Sequence, residues 1–290
     1  MRAVFLLLLI PALHADELTQ KMAARLSEEA EAFRKIAPQV LGIEKLHQSA
    51  IQPPRRIHPH GATPEQPEWR DREVVSEYAF ASFSGQSGAI HELRQVISVD
   101  GRKVSDARKA QDALARAILA SDDGQKRELL RQFEKLGLRG AVTDFGQLLL
   151  LFTPHEIERY EFTPRGARMI GYDRALVFSY QQIDGPEALT LFEEKSGGRA
   201  QRLRMQGEVR VRAEDFLPLQ ITMTVGEGDA PHSLREEAAV TYAMSRYGAL
   251  LPVSTEHREL RNGQIVAQNN FTYTGFHKFG ASSEIQFDAK

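Results

Sequence analysis

Histidines beside carboxylates are the first residues here equipped for chemistry. His91-Glu92 and His155-Glu156 each put an imidazole next to an acid. A zinc protease needs a second histidine one helical turn away, so that both ligands share a face, and neither pair has one. His58 and His60, with His47 upstream, are spaced to point the same way on an extended chain, which suits a weak copper or zinc site at most. Their segment also holds Pro53, Pro54, Pro59, Pro64 and Pro67, so it reads as a solvated linker. Glu193-Glu194 and Glu236-Glu237 alternate faces on a strand and cannot converge on one glycosidic bond. Ser84-Gly85-Gln86-Ser87-Gly88 has the wrong spacing for a nucleophile elbow. Gly226-Glu227-Gly228 lacks the third glycine of a dinucleotide loop. Asp144-Phe145-Gly146 copies a kinase triplet without its companions; it reads as a helix start, with Asp144 facing the N-terminal dipole.

Composition narrows the classes further. Cysteine is absent, which excludes thiol catalysis, disulfides and thiolate metal sites. Lys plus Arg number 37 against 39 Asp plus Glu, a net charge of -2 that removes the electrostatic motive for general nucleic-acid binding. Arg202, Arg204, Arg210 and Arg212 share strand parity and could meet lipid phosphates or acidic glycans. Glu208 and Glu214 interrupt them, which favours the solvated back of a sheet. The reading is a non-enzymatic protein with no metal and no cofactor.

The elements that position these residues follow from periodicity. Met1-Arg2-Ala3, the apolar run Val4 to Ile10, Pro11 and Ala15 fit a secretory signal peptide over residues 1–15. The run is shorter than the roughly 20 residues of a membrane span. Leu18, Met22, Leu26, Ala30, Phe33 and Ala37 recur at spacings of three and four, one stripe of an amphipathic helix that Pro38 ends. This places an N-terminal helical segment at 16–51, a Pro-rich linker at 52–68 and the main domain at 69–290. Two strands are expected between Val74 and Val99, with a turn at Gln86-Ser87-Gly88, and Asp100-Gly101 closes the second. Three helices follow. Ser105 caps the first, Asp122 with Gln125 the second, which Gly137 stops, and Thr143 starts a buried third carrying Leu148 to Phe152.

Beyond Pro154 the pattern becomes about seven to nine short strands, punctuated at Asp184-Gly185, Gly197-Gly198 and Asn262-Gly263. Leu176, Phe178 and Tyr180 share a face; so do Val209 with Val211, Val240 with Tyr242 and Met244, Phe271 with Tyr273, and Ile285 with Phe287. One apolar and one polar face per strand means an antiparallel meander. The fold class is α+β: a large curved antiparallel sheet with helices on its concave face.

The closing strands carry a resemblance. Gly207-Glu208-Val209-Arg210-Val211 leads through Asp215-Phe216-Leu217-Pro218-Leu219-Gln220-Ile221 to Tyr242, Leu251-Pro252-Val253, Phe271-Thr272-Tyr273 and Phe276-His277-Lys278-Phe279. This resembles the outer-membrane lipoprotein-carrier superfamily, the Lol-type open half-barrels, and a group of secreted uncharacterised bacterial proteins. The resemblance implies a curved sheet, plugged by helices, that holds acyl chains. It implies a hydrophobic small molecule or an acylated protein as partner, in the periplasm or outside the cell. Phe178, Tyr180, Val209, Val211, Tyr242, Met244, Phe271 and Tyr273 are the candidate ligand-lining residues. The same face can equally be filled by the helices and bind nothing. The alternative function is an envelope interaction or sensor protein, acting through its N-terminal helix or a sheet edge.

Overall fold

The computed structural model describes residues 10–52, 68–84, 90–141, 144–185, 189–191, 201–226 and 234–279. Most of the expected leader and linker, His58, His60, Gln86-Ser87-Gly88, Glu193-Glu194, Gly197-Gly198, Glu227-Gly228, Ile285 and Phe287 lie outside the described residues.

The first described element is helix α1 (Ile10–Ile36), whose stripe Met22, Leu26, Ala30 and Phe33 is fully buried. After a 3-10 turn with Pro38 in its first positions comes strand β1 (Val40–Ile51). It pairs antiparallel with β2 (Trp69–Ser82) on one side and with the last strand on the other. Residues 40–51 are therefore a central strand. The expectations of a helical segment through 51 and a main domain starting near Trp69 are corrected. Glu44 and Gln48 sit at core parity and break the alternation that marks a strand in sequence.

β2 pairs with β3 (Ile90–Val99), which turns through Asp100-Gly101 into the two-residue β4 (Arg102–Lys103). Both turn residues have positive φ, 50° and 73°, as a tight hairpin requires. Helices α2 (Ala107–Leu119) and α3 (Gly124–Glu134) follow. Asp106 rather than Ser105 caps α2, its carboxylate accepting from the Arg108 amide. Asp122 accepts from the Gly124 amide at 2.8 Å, and Asp123 occupies the cap position of α3. Gly137, at φ 66°, lies just past the end of α3.

Thr143, the expected start of the third helix, lies outside the described residues. Residues 144–147 are irregular and Leu148–Phe152 is a 3-10 turn. The sheet resumes with β5 (Tyr160–Ile170) and β6 (Asp173–Gln182). Strands β7 (Leu189–Leu191) and β8 (Gln201–Leu203) pair only with each other, so Asp184-Gly185 makes no hairpin between β6 and β7. Then come β9 (Gln206–Arg212), β10 (Pro218–Gly226), β11 (Leu234–Met244), β12 (Leu250–Arg261) and β13 (Gln264–Lys278). Asn262-Gly263, at φ 52° and 74°, closes the β12–β13 hairpin as expected.

Among the described residues eleven strands form one antiparallel sheet in the order β4-β3-β2-β1-β13-β12-β11-β10-β9-β6-β5, not closed into a barrel. The inner face lies under α1 and the 3-10 turn Leu148–Phe152. At the β1–β3 end the opposite face is covered too. Leu41, Ala79, Ala81 and Leu93, of opposite parity to Tyr78 and Phe80, pack on Leu114 and Ala117 of α2 and Leu129 of α3. α3 also reaches the inner core with Phe133.

Candidate functional site

The inner face is continuous from β3 to β5. Register puts Leu46 of β1 beside Phe271 of β13, Phe271 beside Thr255, Val240 beside Ile221, and Val209 beside Phe178. Seven of the eight residues expected on this face are buried in one core: Phe178, Tyr180, Val209, Val211, Tyr242, Phe271 and Tyr273. Met244, at the end of β11, is 47% exposed and lines nothing. The strand shifts register between Thr241 and Tyr242, and its last two residues run out into solvent. Aromatics cluster at both ends: Tyr78 meets Phe80 edge-on at 5.0 Å near β1–β2, and Phe152 meets Tyr160 and Tyr180 edge-on, both at 5.1 Å, near β5–β6.

Two segments cover this face. The first is α1. Phe33 meets Phe80 edge-on at 5.1 Å, and Ser27 donates its hydroxyl to the Phe152 carbonyl at 2.7 Å. Burying Met22, Leu26 and Phe33 stabilises the docked helix by roughly 1.5–3 kcal/mol each. Glu29 is buried as well and pairs at 2.5 Å with Arg25 on its own helix. Arg25 Nε and Glu29 Oε2 have no hydrogen-bond partner. Burial pushes the Glu29 carboxyl above its ordinary value, against the opposing pull of Arg25.

The second cover is the strap formed by residues 138–141 and 144–149, and polar groups hold it. The Arg139 carbonyl accepts from Gln48 Nε2 at 2.9 Å and from Asn269 Nδ2 at 2.8 Å. Asn269 Nδ2 also donates to His257 Nδ1 at 2.9 Å, which leaves His257 Nε2 to donate to Glu236. Phe145 stacks on the His257 ring at 4.5 Å. Gly140, at φ 64°, presses on the same ring; a Cβ there would stand 2.5 Å from Cε1.

Further along, Asp144 accepts from the Glu92 amide at 3.1 Å and bonds His91 Nδ1 at 2.9 Å. Gly146 donates its amide to Glu92 Oε1 at 2.5 Å. The Tyr242 hydroxyl donates to the Gly146 carbonyl and accepts from the Leu149 amide, both at 3.1 Å. Beneath, Arg94 bonds Glu92 and, at 2.8 Å, Glu44. Its guanidinium lies 4.9 Å from the Phe133 ring. Burial, above all, pushes Glu92 up to about 8, with Asp144 and Glu44 adding to it and Arg94 opposing. One buried cation between two buried carboxylates is neutral only if one acid keeps its proton.

Sequence reasoning passed over Glu44, Gln48, Arg94, His257 and Asn269, and weighed Glu92 and Glu236 only within the pairs His91-Glu92 and Glu236-Glu237. It considered His91-Glu92 and Asp144-Phe145-Gly146 apart, as failed motifs; the fold joins them. The available signal was parity: each of these seven stands where its strand faces the core. Of the arginine stripe, Arg210 bonds Glu208 and Gln220, and Arg212 bonds Asp215. These bonds leave the two side chains engaged with their neighbours on the sheet.

No family model matches this chain, and no curated protein matches it. Solved structures do. The chain is similar to a DUF1329 family protein from Desulfovibrio piger, at 8% identity over 92% of this chain and 94% of that one, TM-score 0.35. It is similar to a putative outer membrane lipoprotein-sorting protein domain from Vibrio parahaemolyticus, at 10% identity over 91% and 97%, TM-score 0.35. A LolA superfamily protein from Nitrosomonas europaea shares 11% identity over 89% and 94%, TM-score 0.32.

The geometry itself allows a limited chemistry. The buried ionisable groups Glu44, Glu92, Arg94, Glu236 and His257 bond to one another or to the strap. Among the described residues no three metal-ligating side chains converge, and no helix is long and apolar enough to cross a membrane. The described sheet is open, and its inner face joins an apolar core under α1 to a buried polar network under the strap.

Proposed function

We propose that the protein is a non-enzymatic binder or carrier of a hydrophobic ligand, a lipid or the acyl chain of a lipoprotein, in the cell envelope or outside the cell. The ligand takes the inner face lined by Phe178, Tyr180, Val209, Val211, Tyr242, Phe271 and Tyr273, in exchange for α1. The observation that carries this reading is the apolar stripe by which α1 seats on that face. An acyl chain supplies about 0.8 kcal/mol per buried methylene, so roughly ten methylenes match what the three large side chains of α1 contribute. Such an exchange costs little net free energy. The leader at residues 1–15 belongs to this reading as the export signal.

The test is native mass spectrometry with organic extraction on residues 16–290 purified gently from a periplasm, followed by hydrogen exchange with and without an added acyl ligand. A co-purifying lipid of defined mass, with α1 amides exchanging faster when ligand is bound, is the expected result. A lipid-free extract, together with no gain in Tm from any acylated ligand, overturns it.

A further inference from the structure

A groove of about 560 Å³ runs along the flank of α1. Ser27, Lys35 and Ile36 form one wall; Pro154, Tyr247 and Gly248 form the other. Its floor is continuous with the inner core, because Ile36 and Tyr247 both pack against that core. The groove is therefore the margin of the lid, where a chain lying beneath α1 would emerge.

The charges around it are unbalanced. Glu28 and Glu31 also line the groove, but each already has a cation. Arg25 lies 3.3 Å from Glu28, and Arg34 lies 2.8 Å from Glu31. Two cations stand at Tyr247 and a third, Lys35, on α1 itself, where its field also reaches Glu31. The Arg246 guanidinium lies 5.1 Å and the Lys278 ammonium 5.6 Å from the centroid of the Tyr247 ring. Lys35 lines the opposite wall. Among the described residues none of the three has a carboxylate within ion-pair distance. Tyr247 is itself fixed, donating its hydroxyl to the Phe276 carbonyl at 3.2 Å and accepting from Arg246 Nε at 2.9 Å. A ring held in place, carrying two cations, positions positive charge at the mouth of an apolar passage.

We propose that this groove reads the head of the ligand, and that the ligand is a monomeric amphiphile with an anionic head, a carboxylate or a phosphate, on an apolar chain. The inference rests on the carrier reading and adds the head-group class to it. Lys35, Arg246 and Lys278 receive the anion while the chain passes Ile36 and Tyr247 into the inner face.

The experiment is a fluorescence titration of the full chain with cis-parinaric acid and, separately, with its methyl ester, at low and at physiological salt. The acid is expected to bind at least tenfold more tightly than the ester, by a margin that narrows with salt. In a Lys35→Gln, Arg246→Gln, Lys278→Gln variant the margin falls to within twofold while the ester's affinity stays as it was. A control of the same net charge, Arg108→Gln, Lys109→Gln, Arg127→Gln, with exposed positions on α2 and α3, keeps the margin. Equal binding of acid and ester, or a margin that survives the groove variant or disappears in the control, overturns this inference alone. Binding of neither probe overturns the carrier reading and this inference with it.

Discussion

Phe33 of α1 meets Phe80 ring to ring at 5.1 Å, whereas Arg139 of the strap gives its carbonyl to two buried amides, Gln48 and Asn269. Both segments cover the same inner face. The helix holds on by surface removed from water, which is non-directional and which another apolar chain can supply. The strap holds on by hydrogen bonds in a low-dielectric interior, where each broken pair strands a donor or an acceptor. The difference separates a cover held by contacts that any apolar surface can replace from one held by partners that must be matched atom for atom.

Variants can break that distinction or sharpen it. The largest effect is expected from Arg94→Ala, which leaves Glu44 and Glu92 buried without their shared cation. Loss of one partner of such a network costs about 3–5 kcal/mol, read by chemical denaturation. Leu26→Ala in α1 removes a fully buried side chain and costs about 3 kcal/mol of docking. Hydrogen exchange should show the loss in α1 amides, with the strap amides of Gly146 and Leu149 unchanged. Equal loss of protection in both segments would mean that lid and strap open as one unit, and the comparison would fail. Asn269→Leu removes the donor to the Arg139 carbonyl and to His257, with an expected cost of about 1–3 kcal/mol. Here the exchange should rise in residues 139–141 and not in α1.

The pH dependence has the same sign in both covers. Burial raises Glu92 to about 8 and raises Glu29 above 4.5. A carboxyl raised on folding stabilises fully below its unfolded value, and that contribution is lost as pH rises through the folded value. Global stability should therefore decline between pH 4.5 and about 8, and Glu92→Gln should flatten the decline. The docking of α1 should weaken as pH rises above 4.5, and Glu29→Gln should flatten that change alone. A Glu29→Gln protein whose strap protection also becomes insensitive to pH would contradict the separation of the two covers.

Much of the scaffold is legible residue by residue. Asn262-Gly263 and Asp100-Gly101 specify hairpins because the positive φ they need is a property of the residues themselves. The alternation of Val209 with Arg210 and Val211 with Arg212, and the stripe from Met22 to Phe33, encode burial locally through the periods of strand and helix. These features determined an α+β chain with an apolar sheet face and a helix able to cover it. Tertiary structure decided the rest. Whether Val40–Ile51 is helix or strand depends on β2 and β13, which lie far along the chain and satisfy its backbone from both sides. Whether Gln48 is a surface amide or a strap anchor depends on Asn269, 221 residues away. A buried polar group is tolerated only where partners arrive from other elements, and no local pattern records who those partners are.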